Sequence, residues 1–216
     1  MTAPALSAPM PGTVHVVEDD EALADALLFL LQSRGLTVER FDSAEAFLER
    51  VAGNPAWPGE PACVLLDVRM TRMSGIQLFD RMRRDRPDLP APVVFLTGHG
   101  DIRMAVDAIQ RGAFDFFEKP FNDNRLADRL IEALAESAQR LHSAQGAASV
   151  EARVARLSAR ERDVMTLVLA GKLNKVIAHE LNISVRTVEV HRASIFAKMG
   201  VRSAVELARL LSARPG

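Results

Sequence analysis

Hydrophobic residues in the first two-thirds of the chain fall into short runs, separated by stretches in which apolar residues recur every three or four positions. Five runs, Val14–Val17, Thr37–Phe41, Cys63–Leu66, Val93–Leu96 and Phe114–Phe117, have the length and composition of strands. Helical periodicity marks Glu21–Ser33, Ser43–Val51, Gly75–Asp85, Arg103–Gln110 and Arg125–Leu141. Four of the five runs are mainly apolar rather than alternating, as in strands covered on both faces. Regular alternation of strand and helix predicts βαβ crossovers and a doubly wound parallel sheet of the (βα)5 kind, an α/β fold.

The pattern then changes. Ser137–Ser149 (SAQRLHSAQGAAS) is small and polar and reads as a linker that can partly continue the preceding helix. Everything beyond it has the helical period: Ala159–Ala170, Lys175–Leu181, Val185–Met199 and Ala204–Leu211. Ser158 followed by Glu161 forms a capping box before the first of these, and Gly171 and Gly200 sit where glycines end helices. A second, all-α domain of four helices is expected.

Composition sharpens this division. The 216 residues are enough for two small domains, each with its own core. The net charge of −1 hides an asymmetry: residues 1–149 carry 15 Lys+Arg against 22 Asp+Glu, whereas residues 150–216 carry 12 against 6. A basic module for a polyanion tied to an acidic module is implied, although charge alone can be a solvated face. The single cysteine, Cys63, lies in an apolar run, where a buried thiol is expected. Met1–Pro11 lacks the basic start and apolar core of a signal peptide, and no apolar stretch reaches about 20 residues, so a cytoplasmic protein with no membrane contact is expected.

In an open parallel sheet, ligands bind beyond the carboxyl ends of the strands. Here the first strand ends in Glu18-Asp19-Asp20, the third in Asp67, the fourth in Thr97 and the fifth in Lys119-Pro120. Strand ends are often polar merely because they meet solvent, but this set is more pointed. Clustered carboxylates repel, a hard divalent cation such as Mg²⁺ or Mn²⁺ relieves the repulsion, and a phosphoryl group completes such a site. Asp67 can supply a nucleophilic oxygen, Lys119 a point charge and Thr97 a hydroxyl donor, the parts that phosphoryl transfer needs.

In this order the residues are specific. Residues 13–125 resemble the receiver domain of bacterial response regulators, a flavodoxin-like fold, in Glu18-Asp19, Asp67, R-M-x-x-M-S-G at 69–75, Thr97-Gly98 and Lys119-Pro120. The resemblance implies that Asp67 is the phosphoacceptor and Lys119 its cationic partner, with Pro120 after a cis bond. Glu18, Asp19, Asp67 and the Arg69 backbone carbonyl would hold the metal. Phe116 stands where receivers carry a switch aromatic, though a plain core Phe is also open; Arg103–Gln110 and the fifth strand would form a dimerisation face. Two departures stand out. Thr71 replaces the usual Pro, which should loosen that loop, and Gly53–Ala62 is long, Pro-rich and holds the only Trp, either a partner contact or packed on the sheet edge.

Residues 174–199 read as a short helix, a turn at Asn182-Ile183-Ser184 and a longer helix, a helix-turn-helix. L-S-x-R-E-x-x-V at 157–164, N-K-x-I-A-x-x-L at 174–181 and T-V-E-V-H-R at 187–192 are similar to the LuxR-type helix-turn-helix. By that resemblance Glu189, Val190 and Ala193 face bases, while Lys175, Arg186, Thr187, Arg192 and Lys198 hold the DNA backbone. Ser184 caps the reading helix, and His191 is either a phosphate donor or structural; His179 reads as structural. The expected organisation is a receiver at 13–136, a helical or flexible linker at 137–154 and the DNA-binding domain at 155–216.

Receiver plus LuxR-type helix-turn-helix is the arrangement of the NarL/FixJ group of two-component response regulators, and TGHGD at 97–101, EKPF at 118–121 and TVEVHRA at 187–193 are similar to its FixJ-like members. The group implies a sensor histidine kinase that phosphorylates Asp67, a phosphorylation-dependent homodimer, double-stranded promoter DNA, contact with RNA polymerase and activation of transcription. A metal-dependent phosphohydrolase is the competing class. Such enzymes with an aspartyl-phosphate carry a second Asp two residues on, where this chain has Arg69. The chain is therefore expected to be no enzyme beyond forming and losing its own phosphoaspartate.

Overall fold

The computed structural model describes residues 12–54, 56–98 and 102–212, with the side chains of residues 102–105 left aside. The first strand-helix pairs are β1 (Thr13–Val17), α1 (Glu21–Ser33), β2 (Thr37–Phe41), α2 (Ala44–Ala52), β3 (Ala62–Asp67) and α3 (Gly75–Asp85). They continue with β4 (Val93–Thr97), α4 (Ile102–Gln110), β5 (Asp115–Glu118) and α5 (Asp123–Ala155), followed by α6 (Ala159–Leu169), α7 (Asn174–Leu181), α8 (Val185–Met199) and α9 (Ala204–Ser212). The chain divides at Leu141/His142 into two compact units.

In the first unit all strand pairs are parallel, in the order β2-β1-β3-β4-β5. The expected doubly wound α/β sheet is therefore present, with nearly every residue of β1, β3 and β4 buried. Successive strand residues alternate between two cores. Val64, Leu66 and Phe95 meet Phe47, Leu78 and Phe79 of α2 and α3, while Cys63, Leu65 and Leu96 meet Leu27 and Leu31 of α1 and Leu126 and Leu130 of α5. Burial of a Leu or Phe side chain contributes about 1.5–3 kcal/mol, so this two-sided cover supplies most of the driving force. Because the chain winds from β1 to β2 on one side and to β3 on the other, the crevice at the C-terminal ends of β1 and β3 is the topological switch point.

The Trp57 question is settled by packing. Its ring is buried against His15 and Phe47, with centroids 5.3 and 5.6 Å away, and its Nε1–H donates to His15 Nε2 at 3.3 Å. His15 Nδ1 lies 3.1 Å from Glu39 Oε2 without hydrogen-bond alignment. Burial pushes the His15 imidazole below its ordinary value, favouring the neutral ring that can accept from Trp57. Cys63 is a buried thiol whose pKa burial raises strongly.

The expected linker is helical throughout. α5 runs 33 residues, through Ser137–Ser149 and past Gly146. A single exposed helical Gly costs only about 1 kcal/mol against Ala, too little to break a helix whose other residues are good formers. The second unit is all helical, with Val164, Val168, Ile177, Val188, Ile195 and Met199 at its centre. No described helix is long and apolar enough to cross a membrane.

Candidate phosphoryl site and nucleic-acid interface

The parallel sheet brings four distant segments to one edge. Glu18 follows β1, Asp67 and Thr97 are the last residues of β3 and β4, and Lys119 follows β5. Backbone bonds fix these ends: Glu18 N–H donates to Phe41 O, Val68 N–H to Leu96 O and Lys119 N–H to Thr97 O, at 2.8–3.1 Å. The Lys119-Pro120 bond is cis, as the resemblance implied. α3 starts tightly against β3, since a Cβ on Gly75 would stand 2.1 Å from the Asp67 carbonyl oxygen. Only glycine fits there, and the Ser74/Gln77 capping box begins the helix at that point.

Glu18 and Asp67 are 2% and 4% exposed, and Lys119 Nζ bridges them, 2.9 Å from Glu18 Oε2 and 2.5 Å from Asp67 Oδ1. Glu18, Asp19 and Asp67 each offer an oxygen, and these three atoms lie within 4.8 Å of one another. Burial pushes both the Glu18 and Asp67 carboxyls up, against the opposing pull of Lys119. Burial also works to lower Lys119, but its hydrogen bonds to Asp67 and Glu18 prevail and raise it. Two buried carboxylates therefore share the Lys119 ammonium, with the Asp19 carboxylate close by. Hard oxygen donors in negative excess suit a divalent cation such as Mg²⁺, so the donor set fits the expected metal. Arg69, whose carbonyl completes the expected ligands, lies in the turn just after β3 and supports the Asp67 carboxylate through its backbone N–H.

Thr97 is buried, with its hydroxyl on Gly98 O at 3.3 Å, and Phe116 is half-buried against the α2–α3 core. Sequence reasoning missed one contact at the rim. The Thr71 backbone N–H donates to Asp19 Oδ2 at 2.7 Å, a bond that the Pro usual in receivers would lack. The loop expected to be looser is tied instead to Asp19, one of the expected metal ligands. The only sequence signal was the absence of Pro.

In the second unit, α7 ends at Asn182, which takes the left-handed φ of 52°, and Ser184 caps α8 through the Thr187 N–H at 3.0 Å. Val188, Ile195 and Met199 form the buried stripe of α8. Lys175, Ser184, Arg186, Glu189, Val190 and Ala193 are exposed. Thr187, His191 and Arg192 are half-buried, with the Thr187 hydroxyl 2.7 Å from that of Ser184 and the Arg192 guanidinium 5.4 Å from the Phe196 ring centre. His179 is exposed rather than packed. Lys198, expected on the DNA backbone, is half-buried and paired within the domain. Its Nζ lies 2.8 and 2.7 Å from the two Glu161 carboxylate oxygens, so the charge is neutralised within the domain. The capping box showed Glu161 as a helix start, but nothing in the sequence pointed to this second role.

A sheet of this topology with an acidic switch-point rim, in one chain with a helical unit that carries a helix-turn-helix, defines a receiver linked to a helix-turn-helix. Residues 14–131 match the response regulator receiver domain, and residues 155–211 match the bacterial regulatory proteins of the luxR family. The C4-dicarboxylate transport transcriptional regulatory protein DctR of Rhodobacter capsulatus is 47% identical over 93% of this chain and 100% of its own length. The transcriptional regulatory protein FixJ of Bradyrhizobium diazoefficiens is 44% identical over 92% and 94%. Among solved structures, the response regulator StyR superposes with a TM-score of 0.83 at 39% identity, covering 93% of this chain and 98% of that one. The chain belongs to the two-component response regulators of the NarL/FixJ group, in which a receiver is joined to a LuxR-type DNA-binding domain. Its relatives are transcription regulators, and the family implies a sensor kinase and DNA as partners.

Proposed function

We propose that Asp67 accepts a phosphoryl group from a sensor histidine kinase and that the resulting phosphoaspartate switches on DNA binding and transcriptional activation. One observation carries the reading: the Asp67 carboxylate is buried at the strand-end rim, 2.5 Å from Lys119 Nζ and grouped with Glu18 and Asp19. An Asp67 oxygen attacks phosphorus, the bond from phosphorus to the donor imidazole breaks, and the imidazole leaves. Glu18, Asp19, Asp67 and the Arg69 carbonyl would hold Mg²⁺ or Mn²⁺, which when bound would supply charge neutralisation for the phosphoryl oxygens. Lys119 exchanges its contact with Asp67 for one with a phosphoryl oxygen.

The added charge of about −1.5 to −2 draws the Thr97 hydroxyl inward from Gly98. Phe116 follows into the space vacated, and the face of α4 and β5 becomes a dimer contact. A pair of receivers presents two DNA-binding domains to paired half-sites on double-stranded promoter DNA. Glu189, Val190 and Ala193 read bases there, while Lys175, Arg186, Thr187, His191 and Arg192 hold phosphates and Ser184 caps the helix. RNA polymerase is the final partner, which places the working protein in the cytoplasm. Phosphorylation biases an existing equilibrium rather than acting all-or-none.

Acetyl phosphate with Mg²⁺ tests the first step. The intact protein should gain the mass of one phosphoryl group, and Asp67→Asn should gain none. Catalytic turnover of added phosphoesters, or equal incorporation by Asp67→Asn, would overturn the reading.

A further inference from the structure

Outside the rim, a charged cluster with all its described polar groups partnered lies in the second unit. Glu161 lies in the first turn of α6, and its side chain is 6% exposed. Its carboxylate accepts from the Ser158 backbone N–H at 2.7 Å, from the Ser194 hydroxyl at 2.6 Å, and from Lys198 Nζ at 2.8 and 2.7 Å. Ser194 and Lys198 are four residues apart on α8 and therefore share one stripe of that helix. One carboxylate thus joins the start of α6 to two points on the helix that carries Glu189, Val190 and Ala193. Two separated points fix both the rotation of α8 about its axis and its slide past α6, which a single contact would not do. The apolar stripe of Val188, Ile195 and Met199 packs into the core alongside, about 100° around the same helix.

We propose that Glu161, through Ser194 and Lys198, is a positioning residue that sets the register of the reading helix, and that Lys198 serves specificity without contacting DNA. The proposal rests on the DNA-binding reading above. Its logic is geometric: base readout needs donors and acceptors within a few tenths of an ångström, whereas phosphate contact tolerates displacement. Hydrogen bonds from Lys198 and then Ser194 hold the Glu161 carboxyl down to about 2, so the clamp stays charged at any working pH.

Salt dependence separates positioning from phosphate contact. Losing one phosphate contact lowers affinity for all sequences alike and reduces the slope of log K against log salt by about 0.9. Losing helix register weakens only the selected sequence and leaves the slope unchanged. The phosphorylated full-length protein is used to select a duplex from random-sequence DNA, and binding is then compared on that duplex and on an unselected random duplex across a salt series. Lys198→Met and Ser194→Ala, at partly exposed positions, keep the fold testable, with Glu161→Gln as the more disruptive third variant and helicity followed by circular dichroism. Lys198→Met is expected to weaken the selected duplex by about tenfold, to leave the random duplex within about twofold and to keep the slope. Ser194→Ala should act in the same sense but more weakly, and Lys198→Met combined with Glu161→Gln should be no worse than the poorer single variant. A parallel loss on both duplexes with a slope reduced by about one would make Lys198 a phosphate contact and overturn the proposal, as would full retention of affinity by Lys198→Met. Failure of the wild-type protein to enrich any duplex would overturn the DNA-binding reading itself, and with it this proposal.

Discussion

Two lysines in this chain meet buried carboxylates at almost the same exposure, and they are in opposite situations. Lys119 is shared by Glu18 and Asp67, with Asp19 close by, whereas Lys198 has Glu161 to itself with two further donors on the same carboxylate. At the rim, burial outweighs the pull of Lys119 and pushes the Glu18 and Asp67 carboxyls up; at the clamp, hydrogen bonds from Lys198 and Ser194 push the Glu161 carboxyl down to about 2. The difference lies in how the carboxylates are partnered rather than in burial. A carboxylate cluster short of positive charge is organised for a ligand yet to arrive, and one with every lone pair answered is organised to hold helices in place. Folding therefore costs something at the receiver rim and gains something at the DNA-binding clamp, a division expected where one site performs chemistry and the other supports geometry.

The comparison is broken most sharply by removing each cation in turn. Lys119→Ala should slow phosphoryl incorporation from acetyl phosphate by about 10²-fold at saturating Mg²⁺, the loss typical of one preorganised charge at a developing phosphoryl centre. An unchanged initial rate would mean that Lys119 only neutralises the rim carboxylates.

The carboxylates give the next largest contrast, read by hydrogen exchange that resolves the two units. Glu161→Ala should destabilise the second unit by about 2 kcal/mol, through the lost cap and the lost charge-assisted bonds. Asp67→Asn should instead stabilise the first unit by about 1 kcal/mol in metal-free buffer, because a desolvated charge is removed. The Glu161 carboxyl is lower in the folded state than the ordinary unfolded value of about 4.3. Its stabilisation is thus fully present above that value and is lost as pH falls from there through about 2, so acidification from pH 7 to 5 should leave the clamp intact.

Metal binding sharpens the contrast further. Mg²⁺ at ten times its dissociation constant should stabilise the first unit by about 1.4 kcal/mol and leave the second unchanged, with the effect lost in Asp19→Asn. The smallest effect is expected at Thr71. Thr71→Pro removes the N–H that holds Asp19 and should weaken Mg²⁺ binding by about threefold by calorimetry, while Thr71→Ala should not.

Much of the rim could be read from sequence because a parallel sheet converts linear order into spatial proximity. Glu18 and Lys119 are 101 residues apart, yet both follow strands and all strands of such a sheet end on one edge. Apolar runs located β1, β3 and β4 within a residue or two, and the Ser158/Glu161 box located the start of α6. Contacts across helices were not legible in the same way. Nothing in the local pattern relates Glu161 to Lys198, 37 residues later, because their meeting depends on how α6 crosses α8. The resemblance to other DNA-binding domains assigns Lys198 to phosphate by residue type, which carries nothing of its partner Glu161. α5 was under-read because small polar residues and Gly146 suit a linker and a helix nearly equally. Trp57 was ambiguous until the aromatic neighbours His15 and Phe47 came together around it.

The central claim is that charge added at Asp67 governs DNA binding by the second unit. Its most direct test is the affinity of the full-length protein for a selected duplex at one fixed salt concentration, with and without acetyl phosphate and Mg²⁺, for wild type and Asp67→Asn. Phosphorylation should tighten wild-type binding by about tenfold or more, in the range of ordinary coupling free energies, and leave Asp67→Asn unchanged. Equal affinity of phosphorylated and unphosphorylated wild-type protein would contradict it.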